Sequence, residues 1–171
     1  MRTLLLTLLI CCPSVTGFGL GAALNEKTVR EKSDIIAHVT IIATSPVATK
    51  PSAPSEATGP KLDSFSSVAT ARVLSPVKGC KEGDSLRLAF DNGFGCPNVS
   101  YTPNEECLVF LQKGPDGVYT TMNLYCGRFT VKAGQVSDFY LMHPMGQAPQ
   151  TLPLSTVLAW LREPAPAKSV N

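Results

Sequence analysis

The chain has 171 residues, 44% of them hydrophobic, with 15 Lys and Arg against 13 Asp and Glu for a net charge of +2. A balance this near neutral points away from nucleic acid and from anionic membrane surfaces as partners. The length makes one domain the default, large enough to bury a core of its own.

Residues 1–23 read as a secretory signal peptide. Arg2 supplies a minimal positive start. Leu4 to Cys12 is apolar apart from Thr7, too short to span a bilayer, and Pro13 ends it. Small residues at Gly17 and at Gly21-Ala22-Ala23 fit a cleavage site. Leu8-Leu9-Ile10-Cys11 also has the outline of a bacterial lipobox, with the bulky Ile10 where a small residue is expected. Cleavage removes Arg2, Cys11 and Cys12, leaving a net charge of +1 and four cysteines, Cys80, Cys96, Cys107 and Cys126. Cysteines behind a secretory leader imply disulfides in an oxidising compartment, secreted or periplasmic, with no free thiol. No later apolar run approaches transmembrane length, so no membrane insertion is expected after cleavage.

Residues 24–163 read as the single folded domain, and 164–171, with Pro164 and Pro166, as a tail. Residues 25–33 are charged and suit a short helical turn. Residues 34–43 read as a strand with Ile35, Ala37, Val39, Ile41 and Ala43 on one apolar face. Residues 44–64 carry Pro46, Pro51, Pro54 and Pro60 without periodicity and read as a long loop. Ser67, Ala69, Ala71 and Val73 then alternate with Val68, Thr70, Arg72 and Leu74. After the Lys81–Asp84 turn, Leu86, Leu88 and Phe90 point inward and Arg87 outward.

Residues 91–105 read as a second loop. Cys107 to Leu111 is apolar on both faces, the mark of a central strand, and Leu108 and Phe110 are expected inside the barrel. Asp116-Gly117 predicts a tight two-residue hairpin into a strand over Val118–Tyr125. Arg128–Val131 and Asp138–Met142 suit short extended pieces. Ser155 is the expected cap of a helix carrying Val157, Leu158 and Leu161 on one face until Pro164. The fold class is therefore mainly β, a five-stranded OB-like barrel with a C-terminal helix.

Ala71-Arg72-Val73-Leu74 with Lys78-Gly79, Gly83-Asp84, Cys96, Glu105 to Leu111, and Tyr125-Cys126-Gly127 follow one another in an order that resembles netrin-like domains, the barrel type of tissue inhibitors of metalloproteinases. The resemblance covers residues 34–127. It implies a disulfide between Cys96 and Cys126, which leaves Cys80 with Cys107. The rival pairing is Cys107 with Cys126, which the two-residue hairpin would set directly opposite each other. The family's inhibitors chelate zinc through a cysteine at the mature N-terminus, and cleavage here exposes none.

Catalytic chemistry is not signalled. His38 and His143 have no cysteine or carboxylate at metal-ligand spacing, the cysteines form no Cys-x-x-Cys pair, and Gly93-Phe94-Gly95 reads as a turn. No enzyme activity, metal or cofactor is expected. Asn98-Val99-Ser100 is a glycosylation sequon if the source is eukaryotic. Phe94, Asn98 and Tyr101 are candidate contact residues of the 91–105 loop, which with 44–64 would form a contact surface for a protein or glycan partner. Tyr101, like Tyr119 and Tyr125, also suits barrel packing. The functional expectation is a disulfide-stabilised, non-enzymatic binding module. The alternative is a protease inhibitor that acts through its loops without zinc chelation.

Overall fold

A computed structural model describes residues 26–47, 65–91, 99–114, 116–122, 127–142 and 148–164. Residues 1–25, most of the Pro-rich segment, residues 165–171, Cys96, Cys126, Phe94, Asn98 and His143 lie outside the described residues. The elements are α1 (Glu26–Lys32), β1 (Ile35–Pro46), β2 (Ser67–Lys78), β3 (Ser85–Phe90), β4 (Glu106–Lys113), β5 (Tyr119–Thr121), β6 (Arg128–Lys132), β7 (Gln135–Phe139), β8 (Gln150–Pro153) and α2 (Leu154–Arg162).

Five strands close into a barrel in the order β1-β2-β3-β5-β4, with β4 pairing back onto β1. The β3–β5 pair is parallel and the others are antiparallel. Closure depends on β1, which pairs with β2 along one edge and with β4 along the other. Register shifts after Ile36, His38 and Ile41 let this strand of 12 residues coil around the barrel. The architecture is the OB-like barrel with a C-terminal helix that the strand pattern implies. Beyond the barrel, β4 hands its sheet on to β6, β7 and β8.

The two faces of β1 and β4 are both buried, so the molecule has two cores. Ile35, Ala37, Val39 and Ile41 meet Ala69, Ala71, Val73, Leu86, Leu88 and Phe90 inside the barrel. From β4, Cys107, Val109 and Leu111 point inward. Leu108 and Phe110 point the other way, into an outer core with Val29, Phe129, Phe139, Val157 and Leu161. The expectation that Leu108 and Phe110 line the barrel is therefore corrected. A strand buried on both faces carries no polar alternation to say which face is which.

The hairpin after β4 also differs. Gly114 N donates to Val118 O at 2.7 Å beyond the Lys113–Tyr119 pair, so the turn is wider than Asp116-Gly117 alone. Gly117 takes a left-handed φ of 67° within that longer turn. The regular part of β5 covers Tyr119–Thr121 only, because β4 changes partner at Phe110. Phe110 O accepts from Met122 N, and Phe110 N donates to Gly127 O, each at 2.8 Å. Three backbones meet there, and a Cβ on Gly127 would lie 2.8 Å from Phe110 O and 2.9 Å from Met122 O. Glycine is the residue that fits.

The Lys78-Gly79 pair has a similar steric cause. Gly79 has a φ of 73°, and a Cβ there would collide with the Asp34 carbonyl. Lys78 Nζ donates to Arg30 O at 2.7 Å, placing a cation at the C-terminal end of α1.

Helix α2 begins at Leu154 behind Pro153, with no side-chain cap, so Ser155 sits inside its first turn and is not the N-cap. Val157, Leu158 and Leu161 are buried as their spacing implies. Glu163 is extended because Pro164 follows it. Arg30 joins the two helices: Nη1 donates to Leu161 O (3.1 Å) and Glu163 O (2.6 Å), and Nη2 to Trp160 O (2.8 Å). Its guanidinium also lies 4.3 Å from the Trp160 ring centroid, a cation–π contact.

Candidate functional site

The two long loops singled out in the sequence leave the barrel at one end, and their described bases are tied together. Val47 N donates to Ser66 O at 2.9 Å, closing the base of the first loop. Ser66 N donates to Asp91 Oδ1 at 2.8 Å, where the second loop leaves β3. Ser67 stands opposite Phe90 in the β2–β3 ladder. Asp91 was legible only as part of a turn; its acceptor role depends on a partner 25 residues earlier. At the same end Ile42 is 47% exposed, the large hydrophobic side chain that the described surface leaves open.

The second half of the later loop does not stand out in solvent. It fills the barrel. Strand β5 pairs with β3 only at Tyr119 and Thr120, and the N-terminal half of β4 pairs with β6, which leads away into the outer sheet. Between the end of β3 and that half of β4, residues 99–105 take the place of a strand. Tyr101 is 4% exposed and Val99 8%. The Tyr101 ring stands edge-on to Phe90 at 5.4 Å, and its hydroxyl shares a 2.6 Å hydrogen bond with Thr121 Oγ1. Tyr101 is thus a core residue, and its ring is not available as a contact surface. Burial pushes its phenol pKa up.

An ion pair locks this segment in place. Glu105 Oε2 accepts from Arg128 Nη2 at 2.7 Å, and Glu105 Oε1 accepts from Thr102 N at 2.8 Å. The Arg128 guanidinium lies 5.6 Å from the Tyr101 ring centroid and also donates to Thr130 Oγ1 at 3.2 Å. Its Nε is buried with no hydrogen-bond partner among the described residues. Sequence reading passed over Glu105 and Arg128 as a pair. Their only local signal is a carboxylate and a guanidinium flanking the two apolar strands that carry them.

Cys107 sits under this pair, wholly buried in the barrel. Burial pushes its thiol pKa up to about 12; Arg128 works against that rise and Glu105 adds to it. This is the reverse of an activated nucleophile, whose thiol is lowered. Cys80 is half-buried at the far end of β2, its pKa raised by burial and by Asp84.

Both thiols are free, which corrects the pairing of Cys80 with Cys107 and the expectation that no free thiol remains. Register gives the reason. Lys78 stands opposite Ile36, while Cys107 stands opposite Val39. Cys80 lies two residues past Lys78, so about five residues of β1 separate the two, on the order of 16 Å at the usual strand rise. A disulfide tolerates a Cα separation of about 7 Å at most. The rival placement of Cys107 directly opposite Cys126 also fails, because Cys107 faces Val39 on one side and Thr130 on the other. The Cys96–Cys126 pairing lies outside the described residues.

His38 is buried on the outer face of β1, with Nε2 3.0 Å from Glu106 Oε2. The β1–β4 pairing brings them together, two positions apart in register, a meeting with no local pattern in the sequence. Among the described residues no group of three His, Cys, Asp or Glu is arranged to hold a metal ion, and no helix is long and apolar enough to cross a membrane. No family model, curated protein or solved structure matches this chain.

Proposed function

We propose that the chain is a secreted or periplasmic, non-enzymatic binding module of the netrin-like kind, which presents its two long loops from one end of the barrel to a protein or glycan partner. The observation that carries this reading is the Ser66–Asp91 hydrogen bond of 2.8 Å, which joins the base of the first loop to the start of the second. Loops on a rigid closed scaffold are where binding residues concentrate. The chemistry near that end supports binding over catalysis. Its thiol is buried and held protonated, and its carboxylate and guanidinium are spent on each other. A Cys96–Cys126 disulfide is part of the proposal and would tie the second loop to the segment after β5.

The test is deletion of residues 48–60, with the bound fraction from the native secretion medium compared between the deleted and intact chains. The expected result is lost binding with an unchanged unfolding midpoint, since loop length contributes little to closure entropy. Retained binding by the shortened chain would overturn the assignment of the contact surface to the first loop.

A further inference from the structure

At one end of the barrel, side chains do the work of strand pairing. Among the described residues, 99–105 join the strands by backbone hydrogen bonds only at their C-terminal base, through Asn104 N to Ile41 O (2.8 Å) and Ile41 N to Glu105 O (2.9 Å). Above that base, Val99 and Tyr101 insert into the core, while Ser100, Thr102, Pro103 and Asn104 stay exposed. Apart from these two apolar anchors, the side-chain attachments are polar: Tyr101 with Thr121, and Glu105 with Arg128. Water can replace such contacts, unlike the buried methyl contacts that hold β1, β2 and β3 together.

The closed state also carries a cost. Arg128 Nε is buried without a hydrogen-bond partner among the described residues, an arrangement that opening to water would relieve. Asn104 supplies a bend at the base, with a φ of 66° in the left-handed region. Segments with few apolar anchors and exposed backbone open at lower free energy than the fold as a whole.

We infer that residues 99–105 are a hinged plug, which swings out on its Asn104–Glu105 base and uncovers the barrel interior at Cys107 while the rest of the fold stays intact. Tyr101 is its stopper, Arg128 and Glu105 its latch, and Asn104 its bend. The closed plug hides the thiol completely, as Cys107 is 0% exposed. Opening uncovers the space beside Phe90 that the Tyr101 ring fills when closed. The inference stands on these contacts and is independent of the partner proposed above.

Cys107 reports the motion. The full chain is exposed to a maleimide in low, non-unfolding concentrations of denaturant, and the rate at Cys107 is read by peptide mass mapping. Local opening predicts a Cys107 rate that is flat against denaturant until global unfolding begins. Tyr101→Phe, which removes one hydrogen bond and keeps the ring, should raise the rate about fivefold. Glu105→Gln, which weakens the latch, should raise it as well and serves if the first variant folds poorly. Val157→Ala, which weakens the outer core, should leave it unchanged. A Cys107 rate that follows the denaturant dependence of global unfolding, or that rises with Val157→Ala as global stability falls, would overturn the plug.

Discussion

The barrel core is mostly aliphatic, whereas the outer core is built around a run of four aromatic rings. Ala37, Ala69, Ala71, Val39, Val73 and Cys107 share the barrel interior with Ile35, Ile41, Leu86, Leu88 and Leu111, and Phe90 and Tyr101 meet at the end where the plug enters. The outer core runs through Phe110, Phe129, Phe139 and Trp160, whose successive ring centroids lie 5.9, 4.8 and 5.9 Å apart in edge-on contacts. The difference follows from shape. A five-stranded barrel is narrow, so aliphatic side chains interspersed with alanines fill it. The outer sheet is open and is covered by two helices at a spacing that aromatic rings fill. Strand β4 serves both cores, with Cys107, Val109 and Leu111 in the barrel and Leu108 and Phe110 outside it.

The sharpest way to break this comparison is Phe110→Ala. The ring is fully buried, packs edge-on against Phe129, and sits where β4 changes partner. Truncation should cost about 3–5 kcal/mol in denaturant titration. The loss belongs to the outer core, so Trp160 fluorescence should change in the variant's folded state. A cost below about 1 kcal/mol would mean that the outer core can collapse around the gap and that its rings are not packed as a unit.

The sequence disclosed most where one face meets solvent. Arg72 and Arg87 alternate with Ala71, Val73, Leu86 and Leu88, so β2 and β3 could be read with their faces assigned. In β4 the same reading found a central strand and missed its orientation, because Leu108 and Val109 are equally buried. Strands β7 and β8 were harder still. Asp138 takes a left-handed φ of 55° and breaks the register with β8, which erases the alternation. The short β8, Gln150–Pro153, is largely exposed and brings only Leu152 against the outer core, too little for a hydrophobic pattern. The end of the barrel was legible as two loops but not as a plugged seam. Tyr101 lies 20 residues before Thr121, and Glu105 lies 23 before Arg128; neither pairing has a local pattern.

A smaller effect separates the cores by charge. The barrel holds Cys107, whose thiol burial pushes up to about 12, and Tyr101, whose phenol is raised by the same cause. In the unfolded chain a cysteine ionises near pH 8.5. Above that pH the unfolded state has lost a proton that the folded state keeps, so the stabilisation is full below about pH 8.5 and declines as pH rises toward 12. The slope from one such group is about 1.4 kcal/mol per pH unit. Cys107→Val should make stability less dependent on pH between about 9 and 10 by roughly that amount, with the Tyr101 contribution retained above it. Unfolding curves at pH 8, 9 and 10 measure this. Equal slopes in the variant and the parent chain would show that the thiol is not the barrel's alkaline weak point.

The smallest expected effect is a gain, and it lies at the edge of the outer sheet. Lys132 pairs with Gln135, so Ala133 and Gly134 alone make the β6–β7 turn. Their φ values are 50° and 72°, both left-handed, as a type I′ hairpin turn requires. Glycine adopts that region freely, but alanine's Cβ crowds the following carbonyl at a cost of about 1–2 kcal/mol. Asparagine tolerates the region, and Asn-Gly is the preferred pair for this turn. Ala133 is exposed, so nothing else depends on its methyl group. Ala133→Asn should therefore stabilise the chain by about 0.5–1 kcal/mol, a fraction of the strain it removes. The gain should appear in global unfolding and leave the Cys107 labelling rate unchanged, because the turn belongs to the outer sheet and the plug belongs to the barrel. A variant no more stable than the parent chain would mean that residues 133–134 relax out of the tight turn in solution, and the β6–β7 pairing would then contribute less to the outer core than its register implies.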